Sequence, residues 1–378
     1  MIEPRNFHDC LQEEGIEFAT GVPDSLLNDF CLYLSAELPS ARHVVAANEG
    51  NAIALAAGHH LATGKVPLVY MQNSGLGNAT NPLLSLTNAE VYGIPMLLLI
   101  GWRGEPGTLD HAHHQKQGAV TREMLSLMDI PYRILEDDLA SAREVVGWAA
   151  RTADERQSPT ALLVRKGVLA RGMKSEKPSE SALSLSREEA MGRVMDCMPG
   201  DTIFVATTGR ATREIHDLRE QRGLDHNRDF LNVGAMGHGS SIALGIVLGT
   251  PDRPVVCLDG DAAVIMHLGT LATIGALGPP NFMHVILNNG AHESVGGQPS
   301  AGFKINLTGM AENAGYATVG QAITRGADLE DALRHLAATG KPGFIDVHVR
   351  KGIRLDLSRR VSHEGVKDRL ICSLKRGS

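Results

Sequence analysis

Short apolar runs that stop at glycine or polar residues recur along the whole chain, separated by longer stretches with helical spacing. In the first half, Glu17-Phe18-Ala19-Thr20 stops at Gly21-Val22-Pro23-Asp24-Ser25, with a helix expected from Ser25 onward. The run His43-Val44-Val45-Ala46 precedes an alanine-rich helix expected from Glu49 to Thr63, which Gly64 ends as a residue just past a helix C-terminus does. Runs at 67–71, 96–100 and 161–164 read as buried strands. The second half repeats the scheme at 202–206, 230–233, 255–258, 285–287 and 343–349. Strands alternating with helices predict an α/β fold of two doubly wound parallel-sheet domains. The serine- and lysine-rich stretch 171–186 reads as a linker between domains at 1–170 and 187–378. In such sheets ligands bind beyond the carboxyl ends of the strands, where strand order reverses. Almost every polar or glycine-rich run of this chain falls there.

Composition narrows the class. With 378 residues the chain exceeds what one hydrophobic core usually supports, and 43% hydrophobic residues suffice for two cores. A net charge of −7 without a long basic cluster argues against nucleic acid as a partner. The first residues lack an apolar signal core and no apolar stretch approaches membrane-spanning length, so the cytoplasm is the expected compartment and no membrane is expected as a partner. The five cysteines form no CxxC pair, which argues against a zinc or disulfide framework.

The strongest chemical signal lies in the second half. The run Val255-Val256-Cys257-Leu258 ends in Asp259-Gly260-Asp261, and His284-Val285-Ile286-Leu287 ends in Asn288-Asn289. Adjacent strands ending in a carboxylate and an amide can place one divalent cation at a sheet edge, and a few hard oxygen ligands suit Mg2+ that leans on a ligand's phosphates. The Gly260 turn lets backbone amides face such a phosphate. The same residues also fit helix N-caps on ordinary βα loops.

This pattern resembles the metal-diphosphate motif of thiamine diphosphate enzymes, Gly-Asp-Gly followed by Asn-Asn, except that Ala262 stands where the third glycine would be. Seven ordered blocks widen the resemblance to nearly the whole chain: Thr20 to Leu27, Ala47 to Ala52, Gln72 to Asn78, Gly101 to Gly107, Thr207-Thr208-Gly209, Gly234 to His238, and Asn288 to Pro299. They fall in the order of the phosphonopyruvate decarboxylase family, and sulfopyruvate decarboxylases look similar over the same segments. The resemblance implies a pyrimidine-binding first half, a diphosphate-binding second half, thiamine diphosphate and Mg2+ as cofactors, and a homo-oligomer, dimer or higher, with active sites between subunits. It implies decarboxylation of a 2-oxo acid phosphonate, 3-phosphonopyruvate, in phosphonate natural-product biosynthesis.

Residue by residue, the resemblance implies Asp261, the Asn289 side chain and the Ala291 carbonyl as Mg2+ ligands. It implies Gly260, Asp261, Ala262, Asn289, Thr207, Thr208 and Gly209 around the diphosphate, with a hydroxyl and amides as donors. Met236 takes the place of the apolar wedge beneath the cofactor, and the Gly234 carbonyl that of an acceptor for its exocyclic nitrogen. Glu49 is implied as the catalytic glutamate that hydrogen-bonds the aminopyrimidine ring; read without the family, it is a first-turn glutamate favoured by the helix dipole. The run from Asp110 to Gly118 departs from the family's Asp-Glu-Pro-Gln-His. Asp110 and His114 fill its ends as catalytic candidates, His114 as the acid, while His111, Ala112 and His113 replace the middle. A solvated histidine-rich loop, or a zinc site, is the competing reading. For the anionic substrate the candidates are Asp24, Ser25, Asn73, Asn78, Arg103 and Lys116 in the first half, and His292 and Ser294 in the second. Two other functions stay open: sulfopyruvate decarboxylation, and a catalytically silent subunit that keeps the fold. A dinucleotide enzyme is disfavoured because no GxGxxG follows an early strand.

Overall fold

A computed structural model describes residues 1–170, 183–352, 354, 356–357 and 363–375. The chain divides into two compact units, Met1–Ser175 with Val295–Gln298, and Glu176–Ser294 with Pro299–Ser378. Residues 171–182 of the expected linker lie outside the described residues. Its last two do not behave as linker: Leu185 is buried in the core of the second unit, and Ser186 caps the helix Arg187–Cys197 through a reciprocal capping box with Glu189.

The first unit holds a six-stranded parallel sheet built from β1 (Ala19–Gly21), β2 (His43–Val45), β3 (Leu68–Gln72), β4 (Leu97–Gly101), β5 (Tyr132–Leu135) and β6 (Thr160–Val164). Their spatial order is β2-β1-β3-β4-β6-β5. Side chains alternate across the sheet, so each strand feeds two cores. Leu68 and Tyr70 of β3 join one buried cluster with Leu97 and Leu99 of β4, while Val69, Met71, Leu98 and Ile100 join the other. This two-sided burial is why these strands read as continuous apolar runs. β5 escaped that signal because only Leu135 of its four residues is buried.

The second unit holds a five-stranded sheet from β7 (Ile203–Ala206), β8 (Asp229–Leu231), β9 (Val255–Gly260), β10 (Phe282–Asn288) and the strand Gly343–His348. Their order, from the last strand across, is Gly343–His348, β10, β9, β7, β8, and every pairing is parallel. In both sheets the chain runs one way from the first strand and then returns to its other side. Strand order therefore reverses between β1 and β3 in one unit and between β7 and β9 in the other. Those are the two places where a ligand is expected. Among the described residues, no helix is long and apolar enough to cross a membrane.

One buried histidine makes the first sheet acid-sensitive. His43 of β2 is 8% exposed, its Nε2 lies 2.9 Å from the Tyr70 hydroxyl, and burial pushes its pKa down to about 4. Because that value lies below the unfolded 6.5, the stability attached to neutral His43 is complete above pH 6.5 and is lost as pH falls toward 4. The full loss amounts to about 3 kcal/mol. Thermal unfolding followed from pH 7.5 to 4.5 should show a falling Tm, with a shallower slope in His43→Gln; an unchanged slope contradicts this reading.

Candidate active site

The first cluster forms at the β1/β3 switch point. Asp24, in the loop after β1, is fully buried and accepts from Gln72 Nε2 at 2.6 Å and from the Leu26 N–H at 2.9 Å. Burial raises its carboxyl, partly offset by those hydrogen bonds and by the nearby Arg103 charge. Beside it, Arg103 donates to Ser25 Oγ at 2.7 Å and grips Asp110 with both Nε, at 2.7 Å, and Nη2, at 2.5 Å. Burial pushes the Asp110 carboxyl up, but the Arg103 fork and the N–H groups of His111 and Gly104 outweigh it and hold the group well below the usual carboxylate range. Asp110 is thus a fixed anion that aims Arg103 and holds no proton to transfer at neutral pH. Arg103 keeps two of its five guanidinium N–H groups without a partner among the described residues, enough to face an anion.

His114 enters the same cluster from the helix Ala112–Leu127. It is 8% exposed, its Nδ1 is buried without a partner among the described residues, and burial, with the Arg103 and His113 charges adding to it, pushes its pKa down to about 3. His114 is therefore neutral at pH 7, and service as an acid requires an anion beside it to raise that value. Lys116 is exposed on the same helix. Two substrate candidates make hydrogen bonds within the unit. Asn73 is almost fully buried; it donates to the Arg103 carbonyl at 2.8 Å and to Thr121 Oγ1 at 2.9 Å, and accepts from the Arg103 N–H at 3.2 Å. Its polar atoms anchor the Arg103 loop. Asn78 instead donates to Glu49 Oε2 at 2.7 Å.

Glu49 opens the helix Glu49–Thr63 just after Asn48, whose side chain caps the Asn51 N–H. The carboxylate is 6% exposed and packs over Gly75, where a Cβ would lie 2.5 Å from both Glu49 Cγ and Oε1. Gly75 has an ordinary helical φ, so Gly75→Ala carries no backbone strain and acts only by displacing Glu49. A displacement of this size costs about a hundredfold in rate when a catalytic group is moved. Gly75→Ala should therefore lower turnover by about that factor in an enzyme that still folds, with at most a modest fall in Tm from the overpacking; full activity contradicts the placement of Glu49.

The second cluster forms at the β7/β9 switch point. Gly209 follows β7 with φ +105°, a conformation that L side chains rarely adopt, and opens the helix Arg210–Gln221. A Cβ there would also come within 2.7 Å of Ser294 Oγ. Thr207 Oγ1 is buried without a partner among the described residues, at the mouth of that helix. An orphaned hydroxyl, a side-chain-free turn and a helix N-terminus together suit a phosphate. At the end of β9, Asp261 is 2% exposed and opens the helix Asp261–Met266. Burial pushes its pKa up to about 6, opposed by a hydrogen bond from Ser300 Oγ and by the N–H groups of Asn289, Asp261 and Ala262. None of these partners is a cation. Gly260 has φ −105° and Ala262 sits in the first helical turn without positive φ, so the missing third glycine costs the turn no strain.

β10 pairs in register with β9, Leu287 opposite Gly260, which brings Asn288 and Asn289 beside Asp261. Asn289 Oδ1 accepts from the Ala291 N–H at 3.1 Å and keeps a second lone pair, while its Nδ2 donates to Glu293 Oε2 at 2.9 Å. Glu293 is a residue whose role the sequence did not disclose. It is held by Arg187 Nη1 at 2.8 Å and Arg210 Nη1 at 3.0 Å, and Arg187 is in turn locked to the buried Glu214. His292 is driven down to about 4 by burial, and Ser294 is exposed. Asn232, also unassigned in the sequence, shapes the Gly234–Met236 turn by accepting from the Gly234 N–H at 3.2 Å. Ala235 in that turn has φ +47°, a conformation that costs an alanine roughly 1 kcal/mol and marks strain at a ligand-facing loop.

Two parallel sheets with such switch-point clusters are the architecture of a thiamine pyrophosphate enzyme. Residues 5–124 match the thiamine pyrophosphate enzyme N-terminal TPP binding domain and residues 208–347 the C-terminal TPP binding domain. The chain is 35% identical to a phosphonopyruvate decarboxylase of Streptomyces viridochromogenes, over 89% of this chain and 86% of that one. It is 34% identical to one of Streptomyces hygroscopicus, over 91% and 87%. A sulfopyruvate decarboxylase of Methanosarcina acetivorans is 24% identical over 91% and 90%. The chain belongs to the phosphonopyruvate decarboxylase family and is a thiamine diphosphate-dependent decarboxylase, a carboxy-lyase.

Proposed function

We propose that this enzyme decarboxylates 3-phosphonopyruvate to phosphonoacetaldehyde and carbon dioxide, using Mg2+ with thiamine diphosphate, as a step of phosphonate biosynthesis. The observation that carries the substrate is the contrast in likeness: 35% and 34% identity to two phosphonopyruvate decarboxylases, against 24% to a sulfopyruvate decarboxylase of equal coverage. The residues of the second unit suit a metal-held diphosphate. Asp261 is a buried carboxylate without a cation among its partners, the strand that ends at Asn288 pairs in register beside it, and the Thr207 hydroxyl is a buried donor without a partner among the described residues. In this reading Asn289 and the Ala291 carbonyl complete the metal's ligands, and Thr208 and Gly209 add donors to the diphosphate. Hard oxygen donors of this kind favour Mg2+ over softer ions.

Thiamine diphosphate, when bound, supplies a thiazolium that accepts the electron pair released with carbon dioxide. The protein's own part is to orient and to move protons. Asn78 fixes Glu49 through Oε2, and Oε1, above Gly75, would be the oxygen left to hydrogen-bond the cofactor's aminopyrimidine. Arg103, aimed by Asp110 and Ser25, meets the substrate's phosphonate with its remaining N–H groups. That anion in turn raises the pKa of neutral His114 and equips it to hand on a proton. A second copy of the chain completes the site in this reading, which makes a dimer or larger homo-oligomer the working form.

The test is direct competition. Purified enzyme with Mg2+ and thiamine diphosphate should turn over phosphonopyruvate with at least a tenfold higher kcat/KM than sulfopyruvate. A preference for sulfopyruvate overturns the substrate assignment and leaves the decarboxylase class intact.

A further inference from the structure

We propose that His216, Glu220 and His226 form a binding site for one divalent transition-metal ion of the zinc class, which no part of the decarboxylase reading requires. His216 and Glu220 stand one turn apart on the helix Arg210–Gln221, and His226 lies in the connection that leads into β8. One ligand atom from each falls within 4.8 Å of the other two. His226 Nε2 lies 2.7 Å from Glu220 Oε1, and taking up one ion requires the two imidazole rings, stacked here with centroids 4.6 Å apart and 19° between planes, to turn until their in-plane lone pairs converge.

A carboxylate stands behind each of the two histidines. A metal-bound imidazole typically gives its other nitrogen to a carboxylate, which fixes the tautomer and aims the ligating lone pair. His226 Nδ1 faces Asp229 Oδ2 at 3.5 Å. Asp229 is fully buried and itself gripped by Arg219 through Nε at 2.9 Å and Nη2 at 2.6 Å, so it cannot turn away. His216 Nδ1 likewise lies 3.5 Å from Asp217 Oδ1. One nitrogen from each ring and a carboxylate oxygen of Glu220 make up the three protein donors. Two imidazole nitrogens and one carboxylate oxygen, with a fourth position left for water, are a zinc donor set and a poor one for Mg2+. The ion staples the end of the helix Arg210–Gln221 to the entry of β8. The other end of that helix starts at Gly209 in the second cluster.

The experiment is equilibrium dialysis of Zn2+ against the full chain, with excess Mg2+ present to occupy hard oxygen sites. The expected result is one Zn2+ per chain and a Tm that rises with free Zn2+, since the ion binds only the folded state. His216→Gln and His226→Gln should each weaken Zn2+ binding by tenfold or more and remove the Tm response, while their metal-free Tm stays near wild type. Co2+ in place of Zn2+ should give an absorption band in wild type that both variants lose. A His111→Gln/His113→Gln variant separates this site from the histidine-rich loop of the first unit and should bind Zn2+ normally. The proposal is overturned if no Zn2+ binds at micromolar free ion, if both site variants bind as wild type, or if the loop variant alone loses the ion. The first of these leaves a proton shared between His226 and Glu220 as the account of their 2.7 Å approach.

Discussion

Glu49→Gln is expected to lower turnover by about 10^2–10^4-fold, the range associated with removal of a positioned acid or base. The amide keeps the shape of the side chain and still accepts from Asn78 Nδ2 at the 2.7 Å position, so folding and cofactor affinity should change little. The informative readout is the split between the two. Thiamine diphosphate measured by calorimetry should bind within a few-fold of wild type while carbon dioxide release nearly stops. Asn78→Ala, which frees Glu49 without removing it, should fall between the two enzymes. Near-normal turnover in Glu49→Gln would remove this residue from the catalytic step and reopen the reading of it as a helix-start anion.

Asp261→Asn is expected to weaken Mg2+-dependent cofactor binding by at least about a hundredfold, since even residues that merely orient a metal ligand are worth 10- to 100-fold. The same change should stabilise the cofactor-free protein. Asp261 is buried with its pKa pushed up to about 6, above the unfolded 3.8, so its ionised form is a cost to folding that sets in as pH rises through that window. The cost approaches about 3 kcal/mol above pH 7. Metal-free Asp261→Asn should therefore melt higher than wild type at pH 7.5, with the difference vanishing below pH 4, and should show no Tm response to Mg2+ with cofactor. A wild-type response in the variant contradicts the assignment of Asp261 as the metal-holding carboxylate.

Much of this was readable in the residues because it is local. The helix Glu49–Thr63 has both of its ends written in sequence, an Asn48 cap and a left-handed Gly64. The two strands that bring Asp261 and Asn289 together are buried on both faces and so appear as unbroken apolar runs. What the sequence concealed depends on partners far along the chain. Asn78 and Asn73 look alike as loop amides, yet one holds Glu49 and the other anchors the Arg103 loop, a difference set by tertiary distance alone. The ionised state of Asp110 is set by the Arg103 guanidinium that grips it, and the run Asp110 to Gly118 carries no local sign of that grip. The neutrality of His114 comes from burial and from the charge of that same arginine, neither of which has a local signature. Glu293 shares a motif with Asn289, but its value lies in Arg187 and Arg210, which come from other helices.

The most direct measurement is a calorimetric titration of thiamine diphosphate into the wild-type protein with and without Mg2+. The account predicts saturable binding that requires the ion, one cofactor per chain, with heat that disappears when the ion is chelated. Binding of equal strength without any divalent ion, or no binding with it, contradicts the claim that Asp261 and Asn289 hold the cofactor's diphosphate through a metal.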